Sequence, residues 1–250
     1  MSGHSQFKNI MFRKGAQDKR KAKVFSKLAR EITVAAKAGI PEPDKNPRLR
    51  AAIQAARQQN MPRDNIERAI AKADPSQGSE DYQEVRYEGY GPGNVAVIVE
   101  ALTDNRNRTA SVVRSTFGKF GGNLGESNSV AFNFERIGYI SYPKEVASAE
   151  AMFEAALEAG ANDVISDDDD GHEIMTSPDD LNNVRDALEK QFGSPSAARL
   201  DWKPNVTAPL DEEQARKFFN FLEVLEDDDD VQRVCANYDI SDEILKIIEG

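Results

Sequence analysis

The sequence predicts an α+β multidomain protein: an N-terminal three-helix bundle, a middle α/β domain, and an inserted ferredoxin-like βαββαβ domain. Three observations predict it. Apolar residues recur at helical spacing through the first 73 positions. Strand-like runs begin at Tyr82, one of them the near-continuous Val95-Ala96-Val97-Ile98-Val99. From Gly138 to Trp202 the order is strand, helix, strand, strand, helix, strand, the split pattern of a ferredoxin-like domain.

The first helix, Ala16 to Ala38, places Phe25, Leu28, Ala29, Ile32 and Ala36 on one stripe at about 100° per residue and is stopped by Gly39 and Pro41. The second takes Asn46 as N-cap and Pro47 at N1, and buries Leu49, Ala52, Ile53 and Ala56. The third starts near Pro62 and repeats the pattern with Ile66, Ala69, Ile70 and Ala73. Asp74–Ser79 is a linker by composition. Strands at 82–90 and 94–103 follow, joined by Gly89-Tyr90-Gly91-Pro92-Gly93. A helix from Asn107 to Lys119 then buries Val113, Phe117 and Phe120. After Pro204 come a strand (206–209), a helix (211–225) and a strand (231–238). These are too few to form a core alone, so they return to the domain begun at residue 79. The expected domains are therefore 1–78, a discontinuous 79–136 plus 204–250, and an inserted 137–203.

Charge is segregated along this order. Residues 1–75 carry 17 Lys and Arg against 7 Asp and Glu; the remaining 175 carry 15 against 36. A net charge of −11 and a pI near 4.8 argue against a polyanion partner for the chain as a whole, yet a local basic surface attracts phosphate whatever the distant charge does. The basic residues are also arranged. On the first helix Lys19, Arg20, Lys23, Lys27, Arg30 and Lys37 fall opposite the apolar stripe, with Asp18 and Glu31 the only acids nearby. Lys8, Arg13 and Lys14 precede them on an arm that also holds Phe7 and Phe12.

Catalytic constellations are nearly absent. There are two histidines, His4 and His172, and one cysteine, Cys235, which sits in a strand-like run as a small core hydrophobe. No Walker loop, dinucleotide fingerprint or metalloprotease helix occurs. The run Asp167–Glu173 fails an EF-hand test: with Gly171 at loop position 6, Ser177 stands where a bidentate Glu is required. Asp167–Asp170 reads as an acidic hairpin tip, and Asp227–Asp230 as a second acidic turn. No metal, cofactor or enzymatic activity is expected. Thr103-Asp104-Asn105-Arg106-Asn107-Arg108-Thr109 leaves a buried strand and enters a helix. Its Asp, Asn and Thr supply capping oxygens by default. Arg106 and Arg108, beside a helix N-terminus and near Gly121-Gly122-Asn123-Leu124-Gly125, are candidates to hold phosphate.

Several blocks of the chain resemble the YebC family, which includes PmpR-type regulators and a mitochondrial translational activator. They are Gly3-His4-Ser5, Ala16-Gln17-Asp18, Leu28 to Ala35, Asn46-Pro47-Arg48-Leu49-Arg50, Asn60 to Ile70, Tyr87 to Gly93, Thr103 to Thr109 and Gly121 to Gly125. The resemblance spans essentially the whole chain. It implies a helical N-terminal domain followed by two α/β domains. It also implies either DNA-binding transcription regulation or a ribosome-associated role in translation through difficult stretches such as proline runs. The chain departs from the family's usual arm: Gln6-Phe7 stands where a Lys-Trp pair is common, and Met11-Phe12 where a basic residue and His are common.

Together these readings give a non-enzymatic, monomeric, cytoplasmic regulator of gene expression that binds nucleic acid, either DNA or ribosomal or structured RNA, and no membrane. Lys8, Arg13, Lys14, Lys19, Arg20, Lys23, Lys27, Arg30, Arg106 and Arg108 are its expected phosphate contacts, with Phe7 and Phe12 stacking on unpaired bases. The lysine-dominated first helix suits backbone contact and structured RNA, whereas the family's usual description favours DNA. An alternative without nucleic acid is a protein-interaction scaffold that uses the acidic domains.

Overall fold

The computed structural model describes residues 17–74, 81–167 and 171–249. It is a mixed helix and sheet protein that divides into two compact units. The described part of one unit is 32–73 with 136–167 and 171–203; that of the other is 17–31, 74, 81–135 and 204–249. Helix α1 (Gln17–Ala38) is therefore shared, its first four turns belonging to the second unit and its last two to the first.

In the first unit, α1 ends against α2 (Pro47–Gln58) and α3 (Arg63–Ala71). Asn46 sets this geometry. Its Oδ1 accepts from Leu49 N at 3.0 Å as the α2 N-cap, while its Nδ2 donates to the carbonyls of Ala35 (2.8 Å) and Ile40 (3.0 Å). One buried side chain thus closes one helix and starts the next. Thr33 Oγ1 donates to Ala69 O at 2.8 Å and fixes α3. Ile32, Leu49, Ala52, Ile53, Ala56, Ile66 and Ala69 are buried, as the periodicity predicts; Ile70 is only half-buried.

The same unit holds β4 (Phe134–Tyr142), α5 (Ala149–Ala159), β5 (Asp163–Asp167), β6 (Gly171–Thr176), α6 (Leu181–Phe192) and β7 (Ala197–Pro204). Sheet order is β5-β6-β4-β7, with β4–β6 and β5–β6 antiparallel, which is the ferredoxin-like arrangement. Met152, Ala155, Ala156, Leu181, Val184 and Leu188 close its core over Ile140, Tyr142 and Ile174. Within this unit the helical segment touches the ferredoxin-like domain. Gln54 and Gln58 of α2 both donate to Pro195 O, at 3.1 and 2.7 Å.

In the second unit, β1 (Gln83–Tyr90), β2 (Ala96–Thr103), β3 (Asn123–Leu124) and β9 (Val231–Ala236) form an antiparallel sheet of order β3-β1-β2-β9. Strand β2 is central, so Ala96 to Val99 are buried on both faces and read as one continuous apolar run. Helices α4 (Arg106–Lys119) and α7 (Glu212–Glu226) cover one face with Val113, Phe117, Phe218, Phe221, Leu222 and Leu225. A parallel pair, β8 (Ala208–Pro209) with β10 (Tyr238–Asp239), extends the unit. Helix α8 (Asp242–Glu249), absent from the sequence reading, adds Ile244, Leu245 and Ile248.

Candidate nucleic-acid interface

The basic row of α1 meets a partner that its own sequence does not announce. Helix α7 ends at Glu226, leaving carbonyls without intrahelical donors, and the chain turns through Asp227–Asp230 into β9. Lys23, Lys27 and Arg30 sit at spacings of four and three on α1 and face that end. Lys27 Nζ donates to Glu226 O at 2.6 Å, and Lys23 Nζ donates to Asp227 O at 3.0 Å and pairs with the Asp227 carboxylate. Arg30 Nη1 reaches Asp229 O (2.6 Å), Leu102 O (3.0 Å) and Asp230 Oδ1 (2.9 Å). The row that spacing places opposite the apolar stripe thus meets this turn, with Arg30 13% exposed and Lys23 37% exposed. Lys27 and Lys23 bond carbonyls at the end of α7, where a positive charge also offsets the helix dipole, and Arg30 bonds the turn and the end of β2.

Asp230 is the centre of this arrangement, with 5% of its surface exposed. Beyond Arg30, its Oδ2 accepts from Thr109 Oγ1 (2.7 Å), Arg108 Nη2 (2.7 Å) and Thr103 Oγ1 (3.1 Å). Burial alone pushes the Asp230 carboxyl up, but the hydrogen bonds from Arg108, Thr109 and Thr103 overturn this and hold it below the ordinary value. Burial lowers the Lys27 ammonium, against the opposing charges of Glu226, Asp228 and Asp229. Asp228 Oδ1 accepts from Asp230 N at 2.8 Å and shapes the turn.

The Thr103–Thr109 run supplies the other half of this node. Asn105 caps α4 by accepting from Arg108 N at 3.0 Å. Arg108 also bonds Asp104 Oδ1 at 2.7 Å, so its guanidinium is held between two carboxylates. Arg106 is exposed, and its carbonyl accepts from Tyr87 Oη at 3.3 Å. The glycine run 121–125 does not adjoin these arginines. It lies at the far end of α4, which at about 1.5 Å per residue puts it some ~20 Å away. There it forms the edge strand β3, pairing Leu124 with Gly89 and Asn123 with Tyr90. A Cβ on Gly89 would stand 2.4 Å from Asn123 O, so the glycine permits this pairing. Glu88, buried beside it, accepts from Val130 N (3.1 Å) and Ala131 N (2.9 Å) and holds the loop after β3.

Of the other expected contacts, Phe7, Lys8, Phe12, Arg13 and Lys14 lie outside the described residues, and Lys19 and Arg20 lie on the first turn of α1, ahead of the described side chains. The residues that sequence reasoning missed are Asp230 and Glu88. The signal for Asp230 was its place as the last acid before a buried strand. Residues 5–76 match the family model described as the TACO1/YebC protein N-terminal domain, and residues 82–238 match that of the TACO1/YebC second and third domain.

The chain belongs to the TACO1/YebC family.

It is also similar to the crystal structure of a conserved hypothetical protein, Aq1575, from Aquifex aeolicus. Identity is 50%, the TM-score is 0.83, and the match covers 91% of this chain and 94% of that one. Membership supports a regulatory or translation-related role. For a TACO1/YebC chain the geometry gives several of the resembling blocks a structural task. Arg30, Thr103, Arg108 and Thr109 come from two of them and meet on Asp230, while Glu88 and Gly89 come from a third. No described helix is long and apolar enough to cross a membrane.

This geometry changes what substitution of the basic row should do. An exposed lysine on a solvated ridge would cost under about 0.5 kcal/mol. Lys27→Gln instead removes a half-buried donor from a helix end and is expected to cost about 1 to 2 kcal/mol. Urea unfolding checks this, and a loss under about 0.5 kcal/mol would mean the contact adds nothing.

Proposed function

We propose that this protein is a non-enzymatic, nucleic-acid-binding regulator of gene expression that grips the phosphate backbone through its N-terminal basic segment. The observation that carries the reading is the charge segregation: 17 Lys and Arg against 7 Asp and Glu in the first 75 residues, against 15 and 36 in the rest. The anchoring of Lys23, Lys27 and Arg30 narrows the grip. Phosphate contact falls to Lys8, Arg13, Lys14, Lys19 and Arg20, with Arg106 as an exposed outlier and Phe7 and Phe12 as stacking groups. Arg108, like Arg30, serves Asp230 first.

DNA binding in transcription draws support from α3. Arg63 and Arg68 are exposed there with Asn65 between them, residue types that pair with base edges. Within the free chain Arg63 bonds Glu67 and Arg68 bonds Asn65, so base contact would exchange these partners. A second reading, structured RNA on the ribosome, draws support from the lysine-dominated start of α1 and the aromatic residues of the arm.

Lys19→Gln with Arg20→Gln tests the shared claim. Losing two phosphate contacts should lower the slope of log affinity against log salt by about 1.4 to 1.8, using ~0.7 to 0.9 per contact. An unchanged slope would remove these residues from the interface. Recovery on specific promoter DNA or co-sedimentation with ribosomes from gently lysed cells separates the two readings. Arg63→Gln and Arg68→Gln should relax sequence preference only if DNA is read.

A further inference from the structure

Helix α5 carries a surface that the first unit leaves uncovered. Met152, Ala155 and Ala156 point into the core. On the outer side two rows run along the helix at spacings of four. One is Ala149, Phe153 and Leu157; the other is Glu150, Glu154 and Glu158. At about 100° per residue the rows are adjacent. Phe153 is 51% exposed and Leu157 is 61% exposed, an apolar pair standing in water.

Helix physics works against this pattern. Like charges at i,i+4 repel. Glu150, in the first turn, is favoured by the helix dipole, but Glu158 lies in the last turn, where an anion is opposed. α5 contains no Lys or Arg, and among the described residues no basic side chain pairs with Glu150, Glu154 or Glu158. An exposed aromatic beside a self-repelling acidic row is unfavourable in the free chain and is relieved by a partner carrying the complementary pattern.

We propose that this face docks a cationic amphipathic helix of a partner protein. The apolar positions of that helix would cover Phe153 and Leu157, and its Lys and Arg would meet the glutamates. The surrounding charge selects this class. Arg136–Lys203 holds 15 Asp and Glu against 6 Lys and Arg, which repels nucleic acid and anionic lipid alike. A second copy meeting face to face would oppose one glutamate row with another. The proposal does not depend on the basic N-terminal segment.

The test uses the full chain and a fluorescent synthetic helix of leucine and lysine about five turns long, with a scrambled isomer of the same composition as control. Saturable one-to-one binding is expected, with the isomer about tenfold weaker or more. Phe153→Ser with Leu157→Ser, and separately Glu154→Gln with Glu158→Gln, should each weaken binding about tenfold. Thermal stability should hold, because these side chains lie outside the core. Equal binding of the isomer, or binding indifferent to both pairs of substitutions, would overturn the proposal. So would self-association of the free chain that the serine pair abolishes, since the occupant would then be a second copy. Loss of RNA affinity in the serine pair, with peptide binding intact, would assign the face to nucleic acid and overturn it equally.

Discussion

Asp230→Ala should destabilise the chain by about 3 to 5 kcal/mol, the range for removing one partner of a buried, hydrogen-bonded ion pair. The cost comes from what is left behind. Thr103 and Thr109 are fully buried and would lose a shared acceptor, and Arg30, whose side chain is only 13% exposed, would lose its carboxylate. Asp227→Asn is the control. Asp227 is 67% exposed and its pairing with Lys23 is a surface contact, so the loss should stay under about 1 kcal/mol. Equal losses in urea unfolding would show that Asp230 is not the node.

The depressed titration of Asp230 adds a signature in pH. A carboxyl whose folded value lies below its unfolded value contributes stability that is complete above the unfolded value, near 4. That contribution is lost as pH falls through the folded value. The stability gap between the native chain and Asp230→Asn should therefore be constant above about pH 5 and shrink below about pH 4. A gap that grew on acidification would contradict the assignment.

The second large effect is expected at Phe221. Its ring meets Phe117 edge-on at 4.9 Å, Phe120 at 5.8 Å and Phe218 at 5.8 Å, and it is fully buried. A Cβ added to Gly91 would stand 2.9 Å from its Cε1, so the ring also packs on the turn between β1 and β2. Phe221→Ala should cost about 3 to 5 kcal/mol, the transfer energy plus an unfilled cavity. Phe219→Ala, two positions earlier, removes a half-buried ring that meets Tyr238 edge-on at 6.0 Å, and should cost clearly less. Comparable losses would mean that the helix and not the ring is being measured.

Local pattern explains where the sequence reading succeeded. Asn46-Pro47 marks the start of α2 because capping and a fixed φ act on neighbouring residues. The βαββαβ order was legible because each of its elements carries its own period, and the observed strand order agrees with it. What covers the basic row of α1 was not legible, for the opposite reason. Helical spacing shows that Lys23, Lys27 and Arg30 share a side, but cannot say whether water or the end of α7 covers that side. Asp227–Asp230 was visible as an acidic turn, yet its partners lie between 121 and 204 positions earlier, beyond the reach of any periodicity. Arg108 is a phosphate candidate by sequence, and in the fold its guanidinium bonds the Asp230 carboxylate. Arg106 and the glycine run 121–125 adjoin in sequence reasoning only because the length of α4 between them was not converted to distance.

The separation between Arg30 and Asp230, 200 residues, has a consequence for how the protein is made. Synthesis at about 5 to 20 residues per second leaves α1 waiting roughly 10 to 40 s for its acidic partner. Throughout that interval the cations of Lys23, Lys27 and Arg30 lack that partner and face solvent and the polyanionic exit surface of the ribosome that is making them. Closure of the second unit is a late event with a large loop to pay for, so maturation should be slower than the local helices suggest. A nascent chain arrested before residue 226 would present three more positive charges to RNA than the finished molecule does.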